Sequence, residues 1–132
     1  MKQVTVKVYD KQTYDTHFDT NEVSYKGQLA FKNDGIFITY KEAENNITTM
    51  IKAKDNKIAV KRYGGMKANL SFDKEMPHKT IYYTPYGEME IQIKTHKCDT
   101  YILEKGIKIY IEYSIWMQDK KVSDNVYMLV AN

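Results

Sequence analysis

Polarity alternates with a period of two over most of the chain. In GEMEIQIK, Met89, Ile91 and Ile93 fall on one side and Glu88, Glu90, Gln92 and Lys94 on the other. IKIYIEYSIWM groups Ile107, Ile109, Ile111, Tyr113, Ile115 and Met117 in the same way. MKANLSFD separates Met66, Ala68, Leu70 and Phe72 from Lys67, Asn69, Ser71 and Asp73. Successive side chains of a strand point to opposite faces, so each run predicts a half-buried strand. Nowhere is there a convincing helical stripe. The nearest approach, DKQTYDTHFDTNE at residues 10 to 22, reads more as a connection.

Turn signals punctuate the strands at Asn33-Asp34-Gly35, Asn45-Asn46, Asp55-Asn56, Gly64-Gly65, Pro85-Tyr86-Gly87, Lys105-Gly106 and Asp119-Lys120. Short strands spaced this way argue an antiparallel up-and-down meander, closed as a barrel or folded as a sandwich. A barrel is favoured, because short loops close it naturally and leave no edges. The expectation is an all-β chain of about eight to ten strands, with residues 1–132 as one domain.

Opposed residues of an antiparallel pair share a face, so loop lengths and apolar parity must agree. A two-residue loop at Asn33-Asp34 sets Phe31 against Ile36, Leu29 against Ile38 and Gly27 against Tyr40. The same at Asn45-Asn46 sets Tyr40 against Ile51 and Glu42 against Thr49. At Asp55-Asn56 it sets Ile51 against Val60 and Thr49 against Arg62. A three-residue loop Tyr63-Gly64-Gly65 brings Arg62 to Met66 and Val60 to Ala68. At Pro85-Tyr86-Gly87, a three-residue loop puts Thr84 opposite Glu88, Tyr83 opposite Met89 and Ile81 opposite Ile91. Proline suits the first loop position and glycine the third. A turn at Asp119-Lys120 sets Ile115 against Asp124, giving Asp124 inward parity. Lys105-Gly106 leaves open whether Ile102 or Leu103 faces in.

One inner layer then reads Gly27, Tyr40, Ile51, Val60, Ala68, the small residues making room for the tyrosine ring. The next reads Tyr25, Glu42, Thr49, Arg62, Met66 and is polar. Buried charges are costly unless paired. Two strand spacings are roughly 10 Å, a span that arginine and glutamate side chains bridge over Thr49. The layer is either a structural ion pair at the rim or a polar grip for an anionic ligand group at the mouth.

GQLAFKNDGIFITYKEAE, TTMIKAKDNKIAVKRYGG and LSFDKEMPHKTIYYTPYGEMEIQIKT together resemble the YwiB-like family of small, uncharacterised bacterial proteins. The elements that carry the likeness are the glycine and aromatic pair before the first tight turn, Tyr40-Lys41-Glu42, Thr48-Thr49, Arg62 with Gly64, Phe72, and Tyr83-Thr84-Pro85-Tyr86-Gly87. The resemblance covers about residues 25 to 95. It implies a calycin-like (lipocalin-like) barrel in a bacterial cytoplasmic setting and no established activity. Small apolar ligands of other calycins are an analogy of fold alone.

Composition adds limits. Net charge is +3, with 20 Lys and Arg mixed among 17 acids along the chain, which is no nucleic-acid signature. One cysteine, Cys98, excludes an intrachain disulfide. The start, MKQVTVKVYD, has no apolar signal region, and no apolar run is long enough for a transmembrane helix. A cytoplasmic protein acting on neither nucleic acid nor membrane is expected. His17, His78 and His96 are dispersed; His96 and Cys98 have the spacing to share a strand face, too few ligands for zinc. Gly64-Gly65 leads into a strand and not the helix a phosphate loop needs. No cofactor is expected. The function these readings predict is non-catalytic binding of a small molecule at Tyr25, Tyr40, Glu42, Thr49 and Arg62. The alternative is a protein-interaction or regulatory module with a filled barrel and a contact surface of outward tyrosines and Trp116.

Overall fold

The computed structural model describes residues 1–65, 67–84 and 87–132, with Thr84 described through its backbone alone. Among the described residues ten strands follow one another without an intervening helix: β1 (Lys2–Thr13), β2 (Phe18–Lys32), β3 (Gly35–Glu42), β4 (Ile47–Lys54), β5 (Lys57–Gly64), β6 (Ala68–Phe72), β7 (His78–Thr84), β8 (Gly87–Leu103), β9 (Gly106–Met117) and β10 (Lys120–Ala131). All pairs are antiparallel, in the order β6-β5-β4-β3-β2-β1-β10-β9-β8-β7. This is the all-β meander that the alternating pattern predicts. Among the described residues no helix is long and apolar enough to cross a membrane.

The barrel closes less completely than expected. β1 pairs with β10, while β6 and β7 are the two ends of the sheet with no ladder between them. Side chains hold that seam. His78 Nε2 lies 3.3 Å from the Asn69 carbonyl oxygen, Cys98 Sγ lies 3.9 Å from the Phe72 carbonyl oxygen, and the Phe72 ring meets Tyr113 edge-on at 4.8 Å.

Inside, the alternating positions build one core. Val6, Ile38, Ile51, Ile107, Ile109, Ile111 and Leu129 are fully buried. Burying each such side chain stabilises the fold by about 1.5–3 kcal/mol, before the cost of ordering it. Asn33-Asp34 and Asp55-Asn56 form two-residue turns, and Asp55 and Asn56 take φ of 53° and 62°. Positive φ at both central residues matches the strand twist, and Asn and Asp tolerate it.

Several loops differ from their expected lengths. Tyr40 pairs with Thr49 and Glu42 with Ile47, so four residues join β3 to β4. Arg62 pairs with Ala68 and Val60 with Leu70, moving β6 by two residues; Met66 lies outside the described residues. A shift of two keeps every side chain on its face. The β7–β8 hairpin shifts by one, which reverses β7. Thr84 pairs with Gly87, Tyr82 with Met89 and Thr80 with Ile91, so Tyr82 points inward while Ile81 and Tyr83 are exposed.

On the last hairpin the turn is Gln118-Asp119, both at positive φ, followed by a bulge at Val122. Ser123 and Asn125 therefore face in. Asp124 faces out against Ser114 and pairs with Lys121 at 3.0 Å, contrary to its expected inward parity. A second bulge places His96 opposite no partner, so His96 turns out and Cys98 turns in. They do not share a face. Ile102 has the parity of Ile107 but sits at the barrel end, 67% exposed, and Leu103 is half-buried beside Gly106.

Candidate functional site

Between the buried isoleucines and one end of the barrel the core opens into a cavity of about 230 Å³. Tyr25, Tyr40, Glu42, Thr49 and Arg62, the residues grouped by parity in the sequence, all line it. Strands β2 to β5 deliver them in order. Tyr40 lies opposite Thr49, Thr49 opposite Arg62, and Glu42 stands one layer beyond Tyr40.

The two charges meet across the intervening strand. Arg62 Nη2 donates to Glu42 Oε2 at 2.6 Å, and the Tyr25 hydroxyl donates to Glu42 Oε1 at 3.0 Å. Both carboxylate oxygens are thus held. Burial works against the Arg62 charge, but its hydrogen bond to Glu42 and the attraction between them outweigh this and raise its pKa. Burial, reinforced by the bond to Glu42, pushes the Tyr25 phenol up to about 12. The Tyr25 and Tyr40 rings stack at 4.7 Å, 16° from parallel, which fixes the wall behind the ion pair.

Two buried polar atoms of this wall lack a hydrogen bond of good geometry among the described residues: Arg62 Nε, and Thr49 Oγ1, which the Tyr40 hydroxyl approaches. An unmet buried polar group costs about 1–3 kcal/mol. Native proteins keep few of them.

The other side of the cavity comes from residues that the sequence-based grouping does not include. Asp10 and Gln12 line it from β1, Asn21 from β2, Tyr82 from β7, Tyr113 from β9 and Tyr127 from β10. The signal for Asp10 and Gln12 is present in VTVKVYDKQT, where the inward parity of Val4, Val6 and Val8 continues to both. Residues 10 to 22 are mostly strand, with only residues 14 to 17 between β1 and β2. Burial drives the Tyr113 and Tyr127 phenols above their ordinary range; contact with Tyr40 adds to the effect at Tyr127. Burial also raises the Asp10 carboxyl.

The remaining sequence candidates lie elsewhere. Tyr83 is exposed on the outer face, and Gly87 opens β8 at φ 123°. Thr84 is placed by its backbone pairing with Gly87, and Pro85 and Tyr86 lie outside the described residues. Trp116 is half-buried on the outer face: its Nε1 donates to Ser114 Oγ at 2.9 Å, and Lys94 Nζ stands 4.0 Å from its ring centroid. Among the described residues no three His, Cys, Asp or Glu side chains gather as metal ligands would.

Comparison with known proteins places this architecture. Residues 4–129 match the model of a family described as a domain of unknown function, DUF1934. A solved structure described as the ywiB protein from Bacillus subtilis superposes with a TM-score of 0.82 at 19% identity, covering 98% of this chain and 92% of that one. At that identity the likeness speaks for the fold. No curated protein matches the chain.

Proposed function

This chain belongs to the family described as a domain of unknown function, DUF1934, a description that assigns no activity, and from its geometry we propose that it is a non-catalytic small-molecule-binding barrel. The observation that carries the reading is the cavity of about 230 Å³ with Arg62 Nε buried and unpartnered in its wall, beside a Thr49 hydroxyl that only the Tyr40 hydroxyl approaches. A dry engineered cavity of about 150 Å³ already accepts benzene. This one suits a single ring bearing a polar substituent.

The grip has a definite chemistry. Glu42 holds Arg62 through Nη2, which offsets the guanidinium charge, and Nε is a buried donor without a partner. A ligand acceptor reaching Nε–H and the Thr49 hydroxyl completes both groups. Glu42 already offsets the charge of Arg62, so the pair offers little positive charge to a second carboxylate. The site therefore favours a hydrogen-bond acceptor over the anionic group expected from sequence alone. The filled-barrel interaction module is less favoured, because the interior is partly hollow and Trp116 is engaged by Ser114 and Lys94.

Thermal-shift screening of small ring compounds carrying an acceptor tests this, using the wild type, Thr49→Val and Arg62→Met. Thr49→Val keeps the shape of the side chain and removes the hydroxyl, so the variant folds and loses most of the ligand response. A library that never shifts the wild type overturns the proposal. So does a Thr49→Val response equal to that of the wild type.

A further inference from the structure

Two carboxyl groups and one guanidinium line the cavity, those of Asp10, Glu42 and Arg62. Two of them cancel, because Arg62 and Glu42 form a close ion pair. Asp10 is left over. It faces inward from β1, between Asn21 on β2 and Tyr127 on β10, and no cationic side chain pairs with it among the described residues. The cavity thus carries one carboxylate outside the ion pair, in a wall to which five tyrosines contribute.

That combination has a chemical complement. A carboxylate supplies the charge and an array of phenol faces supplies the quadrupole attraction that together hold an ammonium group. Tyr25, Tyr40, Tyr82, Tyr113 and Tyr127 bring five rings to the lining. Burial raises the phenols of Tyr25, Tyr40, Tyr113 and Tyr127, which keeps them neutral donors and not competing anions at physiological pH. Resting on the small-molecule reading above, we propose that the ligand is an organic cation, with its ammonium facing Asp10 and its acceptor meeting Arg62 Nε and Thr49.

The two ends of the cavity then have opposite tasks. The β3–β5 wall is charge-balanced and reads an acceptor. The β1 wall is negative and reads a cation. A purely anionic ligand is met by Asp10 with no free positive charge to offset it, so it is excluded on charge even where it fits by size.

An isosteric series separates these outcomes. Benzylammonium, benzyl alcohol and benzoate share a ring and one-carbon substituent and differ in charge. Binding is followed by chemical-shift changes of the tyrosine rings and by calorimetry. Benzylammonium is expected to bind about tenfold more tightly than benzyl alcohol, with benzoate weakest. Asp10→Asn is expected to weaken benzylammonium about tenfold and so abolish the charge preference. Benzoate binding as well as benzylammonium, or a charge preference that survives Asp10→Asn, overturns the cation assignment and leaves the binding barrel standing. No response of the cavity tyrosines to any of the three overturns both.

Discussion

Arg62 and Glu42 stand two strands apart and yet meet at 2.6 Å across Thr49, inside the barrel. Their side chains are 27% and 15% exposed, too buried for an ordinary surface pair. Tyr25 caps the second carboxylate oxygen, so the pair is also hydrogen-bonded, the condition under which a charge pair is tolerated in a core. The arrangement fixes the orientation of the guanidinium and leaves Nε buried without a hydrogen-bond partner among the described residues.

Removing either partner strands the other. Glu42→Gln or Arg62→Met is expected to destabilise the protein by about 2 kcal/mol, below the range for fully buried pairs because both groups retain some exposure. The double variant is expected to lose roughly 1–2 kcal/mol less than the sum of the singles. Denaturant melts of the four proteins measure the coupling; strict additivity sinks the claim that the pair acts as a unit.

Gly27 lies opposite Tyr40 and makes the tyrosine stack possible. A Cβ there would come within 2.6 Å of the Thr39 carbonyl oxygen, 2.8 Å of Val6 Cγ2 and 3.2 Å of Tyr40 Cβ. Backbone cannot yield as a flexible side chain does. Gly27→Ala is therefore expected to cost about 1–3 kcal/mol and to disturb the Tyr25–Tyr40 stacking. The readouts are a lowered melting temperature and altered near-ultraviolet dichroism; an unchanged melt contradicts the packing argument.

The particular residues show which parts of this fold are legible in sequence. Isoleucine and valine alternation fixes the inner faces of β3, β4, β5 and β9. Tyr40, Glu42, Thr49 and Arg62 keep their face even where the β3–β4 loop is two residues longer than expected, because a shift of two preserves parity. In IYYT the neighbouring tyrosines offer no polarity contrast, so a one-residue difference in the turn exchanges Tyr82 for Tyr83 unnoticed. Asp124 is misplaced for a related reason, since Ser123 and Asp124 are both polar and the bulge between them and the turn leaves no mark in the pattern. Asp10 and Gln12 are hidden by composition, because a polar stretch resembles a loop until strand pairing shows its inner face.

Cys98, on β8 against the Phe72 carbonyl oxygen, offers a check on how tightly the seam between β6 and β7 is packed. It is 1% exposed, and burial, with Asp99 and Asp73 adding to it, pushes its thiol up to about 11. Nucleophilic thiolate is therefore scarce and inaccessible near neutral pH. Native protein at pH 8 is expected to react with an aromatic disulfide reagent only as it unfolds, while denatured protein reacts at once. Prompt native labelling would mean that the seam opens freely.

Alkaline titration tests the tyrosine lining. Tyr25 is raised from 10 to about 12, first by burial and then by Glu42, and burial raises Tyr40, Tyr113 and Tyr127. A raised folded pKa means that the native state keeps protons the unfolded chain has lost. The stability these groups contribute is thus fully present below pH 10 and is lost as pH rises through the raised values. A late stage of phenolate absorbance, from Tyr25, Tyr40, Tyr113 and Tyr127, is expected above pH 10 together with unfolding. Tyr25→Phe removes the hydroxyl on Glu42 and is expected to shrink the late stage by one phenol. A single transition near pH 10, with the fold intact, would show that the cavity tyrosines are solvated and that the wall described here is not closed.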